Sequence, residues 1–524
     1  MSLKAMWRRM RGKLNERPYN ILVVSDLHLG CELKAGGREA RRTVLDRQLA
    51  SFIDWHADNR TEGRPWRLIL NGDIVDFVAI TLTPAPREAT PFAISAEERQ
   101  YGLAPEEAKC VWKLARVAER HGEVFDALGR FLLKGNSIHI VRGNHDAEFH
   151  WPAVQAEWRR LLIARTGATR PSVFRRLASA IEFHAWFYLE PGFFYAEHGN
   201  AHDRYSLQTG FFAPVAEAER GAEMALPLTS QVLRYFVNRY TQGEDLDDAD
   251  TWGVVEYLKW VFKMGNPLQI AADYFMMVFR LTYPILRQSM RLSRKVARVA
   301  GRAMDNKLGE DDRLATVRQL LGRFVGASEG QVRSLLAVAS RPAEQSLFDS
   351  AQLFYLDRMV LSLVCFAGAV EVLRLPVGWG FRLAAFAAVG IVFGALNAIL
   401  ARQRETDAHP LLLQAARRVA EIFDVRYVVM GHSHRATSEP VGASARYFNT
   451  GSWTNARQSE GFPHVCVEGP VAELRRWKGP PALAPAAEPS AAEAPEQGPA
   501  VAAQAAQVPS EQPAGAGLGL PVPV

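Results

Sequence analysis

Residues 19–28 read YNILVVSDLH, an apolar run over 19–25 that stops on a polar cluster holding Asp26 and His28. The same arrangement recurs twice downstream. Residues 66–70 run into NGD, which supplies Asp73, and residues 137–141 run into RGNHD, which supplies Asn144, His145 and Asp146. Helical stretches fill the intervals, at 43–55 and 106–133. Apolar runs alternating with helices predict an α/β fold, a mostly parallel sheet with covering helices. Such folds bind ligands outside the carboxyl ends of their strands, so three polar clusters at three strand ends predict one shared crevice.

Two further strand-like runs, 181–188 and 193–197, lead to His198 in EHG. The strand pattern then lapses for more than two hundred residues. It resumes at 425–430, which runs into GHSH with His432 and His434, and in short runs near Tyr447 and over 464–467 and 473–477. The chain is therefore divided into a basic N-terminal segment 1–18, a first catalytic part 19–205, a helical insertion 206–424, a second catalytic part 425–478 and a tail 479–524. The tail is rich in Ala and Pro and has no aromatic residue, so it cannot bury enough surface to offset its ordering entropy and is expected to be disordered.

Hydrolysis of a phosphoester needs charge to neutralise the phosphoryl oxygens and a means of making water nucleophilic, and a pair of metal ions supplies both. The residue types required are a carboxylate able to bridge, further oxygen donors and neutral imidazoles. Asp26 and His28 stand two apart, as do His432 and His434, and an extended backbone would send both members of each pair to one side. Asn144 offers an uncharged oxygen, His145 an imidazole able to act as general acid, and His198 a further nitrogen.

The ordered series D-x-H, G-D, G-N-H-D, H-G and G-H-x-H resembles the calcineurin-like metallophosphoesterase superfamily over 19–205 and 425–478. The resemblance implies a four-layer α/β/β/α sandwich, here with a large helical insertion, and a metal-dependent phosphoesterase acting on a phosphomonoester, phosphodiester or pyrophosphate. It assigns Asp26, His28 and His434 to one ion and Asn144, His198 and His432 to another, with Asp73 bridging and a metal-bound hydroxide as nucleophile. His145 matches the position that protonates the leaving oxygen, and Asp146 beside it is expected to orient it. Asp76, His202 and Asp203 are expected in supporting or capping roles, and His121, His139, His150, His184 and His464 as ordinary core or surface residues. The mixed donors suit two divalent ions of the Mn, Fe, Co, Ni or Zn series, Mn being the first expectation.

The 524 residues carry a net charge of +6, with a pI near 9.1 and 48% apolar content. A basic balance suits an anionic membrane or a nucleic acid, but no nucleic-acid module is present, so nucleic acid is not the expected partner. Four scattered cysteines, Cys31, Cys110, Cys365 and Cys466, form no C-x-x-C pair and point to reduced thiols. The N-terminal segment has basic residues without a following apolar run and does not read as a secretory signal.

Residues 383–401 contain no charge, which approaches the roughly 20 apolar residues a spanning helix needs. Residues 359–370 are also apolar, though Glu371 and Arg374 follow. Because His432 and His434 must rejoin Asp26 and His198 on one side, the insertion crosses a bilayer twice or not at all. A hairpin over 359–401, turning near Pro376, satisfies this, as would two buried helices. Arg287, Arg291, Arg294, Lys295, Arg298 and Arg302 read as a basic helix lying on an anionic leaflet, with a solvated basic face as the alternative. The expected location is the cytoplasmic membrane face, with a soluble cytoplasmic protein as the alternative. Two other functions remain open: a lipid pyrophosphohydrolase of the UDP-diacylglucosamine type, against which stands His145 where those enzymes usually carry arginine, and a non-catalytic membrane scaffold or sensor that retains the phosphate-binding metal site.

Overall fold

The computed structural model describes residues 17–34, 43–212, 214–218, 221–240, 259, 263–299, 326–402, 407–442, 444–454 and 459–480, with the backbone alone at 43, 216–218, 284–285, 287–299 and 347. The basic segment up to residue 16, the tail beyond 480 and the basic side chains from Arg287 to Arg302 lie outside the described residues.

Strands β1 (Asn20–Val24), β2 (Trp66–Asn71), β3 (Ser137–Val141) and β4 (Ile181–His184) run parallel, in that order, in a six-stranded sheet. Val24 pairs with Leu70, and Asn71 with Val141, so the three polar clusters leave the sheet side by side. The second sheet holds β5 (Phe187–Glu190), β6 (Phe194–Glu197), β9 (Tyr427–Met430), β10 (Thr437–Val441) and β11 (Ala445–Asn449) in the order β10-β11-β9-β6-β5. Strands β12 (Phe462–Glu468) and β13 (Val471–Trp477) complete the first sheet beyond β1.

Alternation within β1 explains how the sheets stack. Ile21 and Val23 face a layer shared with Phe194, Ala196, Val429 and Phe448 of the second sheet, while Leu22 and Val24 face helices on the outside. Those helices are Thr43–Asp58, Glu107–Arg120, Gly122–Leu133 and Pro152–Ala164. The second sheet is backed by the helices Ala408–Phe423 and Glu329–Val338 through Leu412, Val419, Val332 and Leu335. The result is the four-layer α/β/β/α order, with both sheets mixed rather than mostly parallel.

Several elements differ from the reading of the sequence. The run 181–188 splits at Ala185 and Trp186: β4 ends the first sheet and β5 begins in the second, with Trp186 buried at the corner and its indole N–H donated to Glu197 at 2.6 Å. The helix expected over 106–133 breaks at His121, whose ring lies 2.8 Å from Asp46 and accepts the Gly30 N–H. The insertion contains a β hairpin, β7 (Val215–Ala218) with β8 (Gly221–Met224). The helix Ala408–Phe423, placed by sequence in the insertion, packs in the core of the second sheet instead.

Arg234 ties the remainder of the insertion to the sandwich by donating to the carbonyls of Leu103 and Gly102, both at 2.8 Å. A separate core cluster joins Tyr205, Leu228, Met277, Leu281 and Phe354. From it project the helices Leu356–Arg374 and Trp379–Arg402, an antiparallel hairpin turning at Leu375–Gly378 with Phe366, Leu383 and Ile391 exposed. Trp379–Arg402 is long and apolar enough to cross a membrane, and none of its most apolar window is buried.

A candidate metal centre at the strand ends

Beyond their strands the chains following β1 and β2 stay paired, the Asp26 N–H donating to the Gly72 carbonyl at 3.1 Å and the His28 N–H to that of Asp73 at 2.9 Å. On the other sheet Gly431 donates to the His198 carbonyl at 2.9 Å, which carries the β6–β9 pairing to the edge of the crevice. These bonds place two donor groups: Asp26 with His28 and His434, and Asp73 with His198 and His432, the ligand atoms of each group lying within 4.8 Å of one another. His28, Asp73 and His145 form a third, overlapping group. Asn144 Oδ1 lies 3.2 Å from His198 Nε2, so all seven residues singled out in the sequence face one crevice.

The backbone there is not extended. Among the described residues eight non-glycine positions have positive φ, and five of them are Asp26 (53°), His28 (44°), Asp73 (53°), His432 (67°) and His434 (56°). The alternation expected at D-x-H and H-x-H is therefore produced by left-handed turns, each of which costs about 1–2 kcal/mol for a residue bearing a Cβ. The hydrogen bonds just described hold these turns. Glycines make room for them: a Cβ on Gly143 would stand 2.2 Å from Asp73 Oδ1, and one on Gly431 would stand 2.4 Å from Asp26 Oδ2.

The donor chemistry fits metal ions. Asp26 and Asp73 are almost wholly buried. Burial alone would push both carboxyls up, but the imidazoles around them, His198 foremost, hold Asp26 below and Asp73 well below the usual range. Burial opposes a charge on His198, yet Asp73 and Asp26 push it up to about 9. Three imidazoles are oriented from behind. His198 Nδ1 lies 3.0 Å from the Asn71 carbonyl, His432 Nε2 lies 3.1 Å from Asp203, and His28 Nδ1 lies 3.4 Å from Asp76. A hydrogen on each of those nitrogens would point to its acceptor and leave the other nitrogen to a metal ion, the arrangement that metal-binding histidines use.

The two other sequence-nominated residues separate. His145, half-buried, has Nδ1 3.1 Å from Asp76 Oδ2. Asp146 does not orient it. Its carboxylate turns inward to accept the N–H groups of Ile74 at 2.8 Å and Gly143 at 2.6 Å, and burial with the Asp73 charge pushes it up to about 6. Asp76 therefore takes the role expected of Asp146. His202 lies behind the crevice, 2.8 Å from Glu197. Sequence reasoning missed the NTGS run after β11: Ser452 donates to the Asp26 carbonyl at 3.1 Å, while Thr450 meets Ser25, whose hydroxyl contacts the Asp26 carboxylate. A polar run directly after a strand was the available signal.

A comparison with protein families matches residues 19–209 to calcineurin-like phosphoesterase. No curated protein and no solved structure gave a match. The matched span includes Asp26, His28, Asp73, Asn144, His145 and His198 and stops before His432 and His434, which the β6–β9 pairing delivers to the same crevice. Metal-dependent phosphoester chemistry is the general activity that this match supports. Residues 19–209 carry a calcineurin-like phosphoesterase domain.

Proposed function

We propose that this protein hydrolyses a phosphoester or pyrophosphate bond at a two-metal centre and that its apolar hairpin holds it at a membrane. The observation that carries the catalytic part is the meeting of Asp26, His28 and His434 with Asp73, His198 and His432 in one crevice beside a half-buried His145. In this reading Asp73 lies between the two donor groups and serves both. Divalent ions bound there, Mn being our first choice among the borderline metals, would polarise the phosphoryl oxygens and acidify a water molecule.

The protein's own part is placement. Buried carboxylates and back-bonded imidazoles present fixed lone pairs, so little reorganisation is needed when charge develops on phosphorus. The Asp76 carboxylate lies 3.1 Å from His145 Nδ1, and in this reading Nε2 is the nitrogen that faces the leaving oxygen and delivers a proton. Hydrolysis of a generic aryl phosphodiester with added Mn tests this reading. Asp73→Ala and His145→Ala should each lower the rate by orders of magnitude, and wild-type rates in both would end it.

The membrane part rests on Trp379–Arg402 and its partner helix, whose exposed Phe366, Leu383 and Ile391 would otherwise face water. A hairpin keeps both chain ends on one side, as the divided ligand set requires. Carbonate extraction of membranes checks it: retention in the pellet is expected, and complete release would exclude a spanning hairpin.

A further inference from the structure

A second group of donor side chains lies at the β4 edge of the six-stranded sheet. Parallel pairing sets His139 of β3 beside Glu182 of β4, and His184, two residues on, returns to the same face. One nitrogen from each imidazole and one Glu182 oxygen lie within 4.8 Å of one another. His139 Nδ1 stands 3.0 Å from His184 Nε2 and 3.7 Å from Glu182 Oε2. Nitrogen or oxygen ligands at the corners of a zinc tetrahedron, with bonds of about 2.0–2.1 Å, are separated by roughly 3.4 Å. The two separations bracket that value.

The position is unusual for such side chains. The layer between the sheets is elsewhere built from Ile21, Ile69, Val141 and Phe194. Here it opens into a cavity of about 520 Å³, which His139, Glu182 and His184 share with Tyr19, Arg67 and Glu190. The neighbouring charges are engaged with one another. Glu190 accepts from Tyr19 at 2.9 Å and Tyr188 at 2.6 Å and pairs with Arg17 at 3.3 Å, while Arg67 lies 3.7 Å over the Tyr19 ring and donates to Tyr188. Glu182, its side chain 58% exposed, is the carboxylate that faces the imidazoles. Burial, reinforced by the Arg67 charge, pushes His139 down to about 2 and His184 to about 4, so both rings are neutral in the range where a metal competes for their lone pairs.

We propose that His139, His184 and Glu182 form a further divalent-cation site of the zinc class, separate from the strand-end crevice, with its fourth position open to the cavity. Two imidazoles and one carboxylate are a donor set that zinc favours. The hydrogen shared between the two rings moves to the far nitrogen of whichever ring carries it. For His139 that is Nε2, which lies 3.5 Å from the Ser137 hydroxyl.

The test is the zinc content of the full chain after equilibration with zinc and removal of excess, measured by inductively coupled plasma mass spectrometry. Wild type should hold one equivalent more than His184→Asn, whatever the crevice holds, because the result is read as a difference. Equal content would overturn the proposal. Glu182→Gln changes an exposed side chain and guards against a misfolded histidine variant. It should weaken zinc at this site by about tenfold or more, since removing even a group behind the ligands commonly has that effect, and an unchanged zinc titration would overturn the proposal equally.

Discussion

One carboxylate oxygen, Oδ2 of Asp76, stands 3.1 Å from Nδ1 of His145 and 3.4 Å from Nδ1 of His28, so a single side chain aligns both the proposed acid and a proposed ligand. General acids contribute roughly 10²–10⁴ in rate, and Asp76→Asn should forfeit a part of this. Steady-state kinetics should show a fall of about tenfold or more in kcat for Asp76→Asn, and a smaller further fall when the same change is made in His145→Ala. Equal effects in both backgrounds would mean that Asp76 acts elsewhere.

Asp146 is expected to act through structure. Its two oxygens take the N–H groups of Ile74 and Gly143, which flank Asp73 and Asn144. Asp146→Ala strands two buried donors at about 1–3 kcal/mol each. Urea unfolding should record a loss of a few kcal/mol, together with lower metal content.

Gly143→Ala tests the close approach at the crevice. The added methyl would stand 2.2 Å from Asp73 Oδ1 and 2.6 Å from the Asp73 nitrogen, neither of which is a flexible chain end. Bound metal and hydrolysis should fall together by at least tenfold, an outcome that metal analysis and the aryl phosphodiester assay read directly.

Acid should destabilise the fold through His56, which packs among Phe52, Trp66 and His464. Burial pushes His56 down to about 4. Because the folded value lies below the unfolded one, the unfolded chain binds the proton first, and stability drains away as pH falls below about 6.5 until the folded value is reached. Between pH 6.5 and 5 the loss from this one group is about 2 kcal/mol. Equilibrium unfolding at the two pH values should show it, and His56→Leu should flatten the slope.

Ile391→Asp places a charge in the middle of Trp379–Arg402, where Asp opposes insertion by roughly 2.5–3.5 kcal/mol. Flotation with anionic vesicles should show weaker partition, while hydrolysis of a soluble substrate stays at the wild-type rate. Unchanged flotation would leave the hairpin without a membrane role.

Much of this arrangement could be read from the chain. Strand β3 falls on the run 137–141, because Ile138, Ile140 and Val141 lead there into the RGNHD cluster, and every nominated ligand reaches the crevice because each follows a strand. Other features depend on partners distant in sequence. The split of 181–188 between two sheets is set by the corner at Trp186 and its bond to Glu197. The left-handed turns at Asp26 and His434 have no propensity signal, since neighbouring strands impose them. Asp76 and Asp203 are expected in supporting roles, but which histidine each meets is set by the fold, and for His145 adjacency in sequence suggests Asp146 instead.

The bond between His432 and Asp203 spans 229 residues. At about 5–20 residues per second, synthesis takes roughly 10 to 50 s to traverse that interval. Throughout it the nascent chain holds Asp26, His28, Asp73, Asn144 and His198 but lacks His432 and His434. The full donor set for the proposed ions thus exists only after the long excursion between the two halves has been synthesised.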